Sequence, residues 1–173
     1  EEEKQEILDR LSKEKDAKKK LGEEPIPDKD MAQYKADEKK LRKQLANAVL
    51  NYGNESKEKA EVLHKIGRVL FLQRRFEDCW NISEELLRIS EIHDGPESLE
   101  IAKALSNHAQ TAYRLKRMDE CGLSAYRHLY IMRRHYNDES KEVVMARARL
   151  MQYGFKDGQQ SKGLSHEEYL EIV

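Results

Sequence analysis

The sequence predicts an all-α fold, a short α-solenoid of antiparallel helix pairs, and three observations carry that prediction. The tetrapeptide Glu-Ser-x-Glu occurs at residues 55–58, 97–100 and 139–142, a spacing of 42 residues each time, and a fixed period of that length marks stacked structural repeats. Residues 55–96 laid over 97–138 give ten identities, among them Leu63/Leu105, Arg75/Arg117, Cys79/Cys121, Leu87/Leu129 and His93/His135. Within each period the apolar positions change phase once, as two antiparallel helices joined by a short turn require. Three prolines and eight glycines in 173 residues leave little punctuation for a β protein.

The elements follow in order. Residues 1–31 form a charged N-terminal helix and a proline-containing linker: Ile7, Leu8 and Leu11 give a narrow apolar edge, and Leu21-Gly22 ends it before Pro25 and Pro27. Such a helix buries too little surface to stand alone. Residues 32–154 form the repeat domain. Tyr34, Leu45 and Gly53 align with Phe76, Leu87 and Gly95, so residues 32–51 read as the second helix of a degenerate preceding unit. In the best unit, Ile101, Ala102, Leu105, Ala109, Ala112 and Tyr113 mark the first helix, and Met118, Cys121, Ala125, Leu129 and Met132 the second. The turn Leu115-Lys116-Arg117 matches Gln73-Arg74-Arg75.

Between units, Gly95-Pro96 sets a glycine after one helix and a proline in the first turn of the next. Asn54 and Asp138 stand where Pro96 stands and are expected to cap their helices. The acidic Glu-Ser-x-Glu then lies at the positive end of a macrodipole, a structural role without chemistry. Val143, Ala146, Leu150 and Met151 begin a third unit that is not completed. Residues 155–173 are expected to be a flexible segment and a short terminal helix from the capping box at residues 165–168.

Composition narrows the function classes. Charged residues make up 38% of the chain and hydrophobic ones another 38%, typical of helices with one buried stripe. No apolar run is long enough to span a membrane, so membrane insertion is not expected. The chain begins at Glu1, which fits a mature protein after presequence removal and fits a fragment equally. Two cysteines in equivalent packing slots are expected to be free, buried thiols in a reducing compartment. Six histidines are scattered through the helices, and none forms a Cys/His grouping with zinc spacing. His93 and His135 read as C-terminal dipole partners. No nucleophile, base and orienting group assemble, so no catalytic residue, cofactor, metal or small-molecule substrate is expected.

The stretch from Ile101 to Ala109, then Ala112-Tyr113, Arg117-Met118-Asp119-Glu120-Cys121 and Leu129-Tyr130-Ile131 resembles a tetratricopeptide repeat in the 42-residue form of kinesin light chains. The resemblance covers residues 55–138 well, and 32–54 and 139–154 loosely. It departs where Asn107 gives way to Lys65 and Arg149 in the neighbouring units, and where Tyr126 and His128 fill a small-residue position. The resemblance implies an inner face built from first helices, which places Lys65, Arg68, Leu72, Asn107, Gln110, Arg114, Arg147 and Arg149 in a partner-binding groove. Arginines there pair bidentately with carboxylates of an acidic segment; solvated helix faces are the alternative.

Residues 101–156 carry eleven Lys/Arg against five Asp/Glu, and residues 54–100 seven against eleven. The C-terminal half therefore attracts acidic surface. The expected function is a non-catalytic protein–protein interaction or scaffold module, an accessory subunit docked in a larger assembly. A mitochondrial ATP synthase or mitochondrial ribosome fits that form, with the mitochondrial matrix or the cytoplasm as the compartment. The alternative is a cytosolic adaptor binding a linear peptide motif in its groove. An RNA-binding helical-repeat protein is a second alternative, disfavoured because no aromatic stacking platform accompanies the cations.

Overall fold

A computed structural model of the protein describes residues 26–158. The expected helix before Leu21 and the expected terminal helix from Ser165 lie outside the described residues. The chain divides into two compact units, Glu1–Gln33 and Tyr34–Val173. In the first, the carbonyl of Pro27 accepts from the Met31 amide as a helix begins. Six helices are described: α1 Asp28–Tyr52, α2 Lys57–Leu72, α3 Phe76–Asp94, α4 Leu99–Arg114, α5 Met118–His135 and α6 Lys141–Gln152. No strand occurs among the described residues. The fold is all-α, and from α2 onward each helix packs on the next, consistent with a helical-repeat solenoid.

The repeated serine is the helix cap. Ser56, Ser98 and Ser140 are extended at the N-cap, and their side chains accept from the amides of Lys59, Ile101 and Val143. Asn54 and Asp138 are therefore not the caps, and Pro96 precedes its helix by three residues: each stands two residues ahead of the serine, out of reach of the third helical amide. Glu58, Glu100 and Glu142 occupy the first turns, where their charge opposes the helix dipole.

The first helices also end alike. Arg74 and Lys116 take φ 59° and 62°, and Gly154 takes φ 90°. Their amides donate to the carbonyls of Phe71, Tyr113 and Met151, and the following amides donate to Leu70, Ala112 and Leu150. This paired closure satisfies carbonyls that the helix ends would orphan. It comes four residues early in α6, so the third unit leaves the 42-residue ruler at its first turn.

Opposite the turns, each helix pair is stapled at its open end. His93 Nε2 bonds the carbonyl of Glu55, and His135 Nε2 bonds that of Glu97 at 2.7 Å. The same glutamates pair by side chain with Arg88 and with Tyr130. The histidines thus act on the neighbouring helix start, beyond the dipole role the sequence suggested.

Leu63, Leu86 and Ile89 join α2 to α3, while Leu41 and Leu45 of α1 pack on Ile66, Leu70 and Cys79. The larger C-terminal core gathers Trp80, Ala109, Ala112, Cys121, Leu129, Val143 and Leu150. Each fully buried Leu or Ile contributes about 1.5–3 kcal/mol. Glu38, also buried, is the polar pin of α1: it accepts from Gln73 at 2.9 Å and from Arg75 at 2.8 Å. Burial pushes its carboxyl up, but bonds from Gln73 and Arg42 and the charge of Arg75 outweigh that and leave it below the ordinary range.

Residues 155–157, expected to begin a flexible segment, fold back on α5. A Cβ at Gly122 would stand 3.0 Å from the Phe155 ring, so glycine makes the slot that Phe155 fills. Tyr126 donates to the Lys156 carbonyl at 2.8 Å. Asp157 accepts two bonds from Arg133, at 3.0 and 2.8 Å. Those bonds hold its carboxyl below the usual range, against burial, with the charges of Arg133 and Arg147 assisting.

Candidate functional site

A groove runs between the two complete first helices, α2 and α4, with α3 beneath. Its apolar chamber holds about 230 Å³ and is lined by Leu63, Gly67, Phe71, Cys79, Ile82 and Leu86, with His64, Arg68, Leu72, Asn107 and Gln110 also lining it. Gly67 keeps the chamber open because its missing side chain would point at Ile82, with a Cβ 3.4 Å from Cγ2. A second, polar chamber of about 320 Å³ lies toward the N-terminal ends of α2 and α4, among Lys57, Glu61, His64, His93, Glu100 and Lys103.

His64 borders both chambers. Asn107 Nδ2 donates to its Nε2 at 3.1 Å, which puts the imidazole proton on Nδ1. One unit on, Arg149 Nη1 donates to Ser106 Oγ at 2.5 Å. Both links span 43 residues, so they are equivalent rungs that join successive first helices.

The eight residues expected in the groove divide accordingly. Arg68, Leu72, Asn107 and Gln110 line the apolar chamber. Asn107 and Arg149 are engaged in rungs. Arg114 lies with its guanidinium carbon 4.9 Å from the centre of the Phe76 ring. Arg147 does not line the apolar chamber: it stands on α6 at the register position of Leu63 and Leu105 and sets Nε 2.9 Å from Asp157 Oδ2. That contact is an ion pair without hydrogen-bond geometry. Lys65 and Arg68 are exposed with no ion-pair partner among the described residues; Arg68 lines the apolar chamber, and Lys65 does not.

The buried thiols and imidazoles are shifted toward their neutral forms. Burial raises the Cys79 thiol, partly opposed by Thr111, and pushes Cys121 up to about 11. Burial lowers His108 to about 4 and also lowers His128, whose Nδ1 donates to the Ala102 carbonyl at 2.7 Å. Among the described residues, no group of three or more His, Cys, Asp or Glu side chains could hold a metal ion, and no helix is long and apolar enough to cross a membrane.

Sequence reasoning missed Glu38, Phe155, Asp157 and the two rungs. The rungs had a signal, a 43-residue pairing offset by one from the period, but it becomes meaningful only once the helices are stacked. Compared with known proteins, the chain matches no family model, and no curated protein matches it.

Proposed function

We propose that the protein is a non-catalytic, tetratricopeptide-like interaction module whose α2–α4 groove holds an extended segment of a partner protein. The apolar chamber of about 230 Å³ supports this most directly. It is of a size for one aliphatic or aromatic side chain, and the free cation of Arg68 lines it to meet a neighbouring carboxylate. Because Asn107 and Arg149 are committed to rungs, side-chain anchoring carries the recognition in place of a backbone clamp.

An array of extended peptides with one central apolar residue and acidic flanks tests the reading, with binding followed by fluorescence anisotropy. Arg68→Glu should weaken the best binder about tenfold or more, and Gly67→Leu, which fills the chamber, should remove it. Equal binding by the wild type and both variants would sink the groove reading.

A second reading, an accessory subunit held in a larger assembly, is favoured by exposed Val144, Met145 and Met151 on α6. Exposed apolar surface of this kind on the last of the described helices invites a covering partner.

A further inference from the structure

Helix α6 departs from α2 and α4 on the side where each of those receives the second helix of its own pair. Ala60 and Leu63 of α2 pack on Leu86 and Ile89, and Ala102 and Leu105 of α4 pack on Ile131. Gly67, where a Cβ would stand 3.4 Å from Ile82 of α3, and Ala109 are the small residues at one register position. The corresponding residues of α6 are Val144, Arg147 and Met151. No second helix follows among the described residues; the chain turns at Gly154, and Asp157 pairs with Arg147. Val144 and Met145 remain 48% exposed and Met151 62% exposed, with exposed Ala148 between them.

We propose that this face docks an amphipathic helix of another protein, one whose aliphatic stripe is flanked by carboxylates. Val144, Ala148 and Met151 follow the 4-and-3 spacing of a helix-packing stripe, and methionines adapt to an incoming surface. Bulk at Val144 and Met151 holds the occupant farther out than the close helix pairs inside the array.

Charge selects its chemistry. Lys141 at the head of the stripe and Arg149 on its flank have no carboxylate partner among the described residues. Residues 101–156 carry eleven Lys/Arg against five Asp/Glu, so a second copy presenting the same face would set cation against cation. Nor does the other end of the array complement the stripe: α1 exposes Lys35, Lys39 and Lys43, one turn apart. The inference rests on the reading of the protein as an interaction module but not on its groove.

The test uses the full chain and two labelled helical peptides with the same leucine stripe, one flanked by glutamates and one by lysines. The glutamate peptide should bind at least about tenfold tighter than the lysine peptide, and Lys141→Glu should narrow that ratio. The double variant Val144→Ser/Met151→Ser, both positions exposed, should keep the melting temperature and lose binding at least about tenfold. Arg68→Glu should change nothing here. Failure of the glutamate peptide to bind would overturn the proposal, as would equal binding of both peptides. Loss through Arg68→Glu alone would place the peptide in the groove, ending this inference while leaving the proposed function standing. A concentration-dependent dimer abolished by Met151→Ser in sedimentation would show that a second copy covers the face, and would equally overturn it.

Discussion

The indole of Trp80 in α3 lies on the imidazole of His108 in α4, with ring centres 4.1 Å apart. His108 Nδ1 meets Ser124 Oγ at 2.8 Å, and the Arg117 guanidinium carbon stands 4.6 Å from the centre of the indole ring. A buried imidazole between an aromatic face and a hydroxyl stays neutral: burial lowers it to about 4, partly opposed by Glu120 and reinforced by Arg117.

The linkage sign follows. The unfolded chain takes a proton on this histidine below about pH 6.5, while the folded chain resists until about 4. Stability from this group is therefore complete above pH 6.5 and is lost as pH falls through that window, by up to about 3 kcal/mol. Urea unfolding followed by Trp80 fluorescence should show the loss, and His108→Gln should reduce it, leaving the part that buried His128 contributes.

Helix caps give a second expectation. Ser98→Ala should cost about 1 kcal/mol, because the Ile101 amide loses its acceptor in a shared interior helix. Asn54→Ala should stay within about 0.5 kcal/mol. Chemical denaturation of the two variants side by side decides between the serine and the residue two places before it.

The Gly122 slot gives a third. Gly122→Ala would press a Cβ to 3.0 Å from the Phe155 ring and should cost about 1–3 kcal/mol. Phe155→Ala should be destabilising alone, yet the double variant should be less so than the sum, since removing the ring removes the clash. Strict additivity would place Phe155 elsewhere.

The thiols give a fourth. Cys79 and Cys121 are free and buried, and with the second pushed up to about 11 neither offers a thiolate near neutral pH. A thiol-exchange reagent at pH 8 should label native protein at least about a hundredfold more slowly than protein in urea.

Much of the fold was legible in the sequence because the repeat is a local code. Each of the three Glu-Ser-x-Glu tetrapeptides starts a helix, and the apolar phase change at Gln73-Arg74-Arg75 and Leu115-Lys116-Arg117 marks a turn. The candidate site was legible only in part. A 42-residue register names which residues share a face, but not which are already spent: Asn107 on His64, Arg149 on Ser106, Arg114 over Phe76 and Arg147 on Asp157. Those pairings depend on distances between helices, which side-chain volumes across the core set.

By itself the sequence determined the helical class, the period, the helix starts to within two residues and the uneven charge, all properties of short stretches of chain. Only the tertiary structure decided that the repeated tetrapeptide anchors histidine staples, that Phe155 seats against Gly122, and that Lys65 and Arg68 remain free. Those outcomes turn on which groups meet across 30 to 40 residues, and contact energies fall away within a few ångströms, so packing rather than pattern chooses among them.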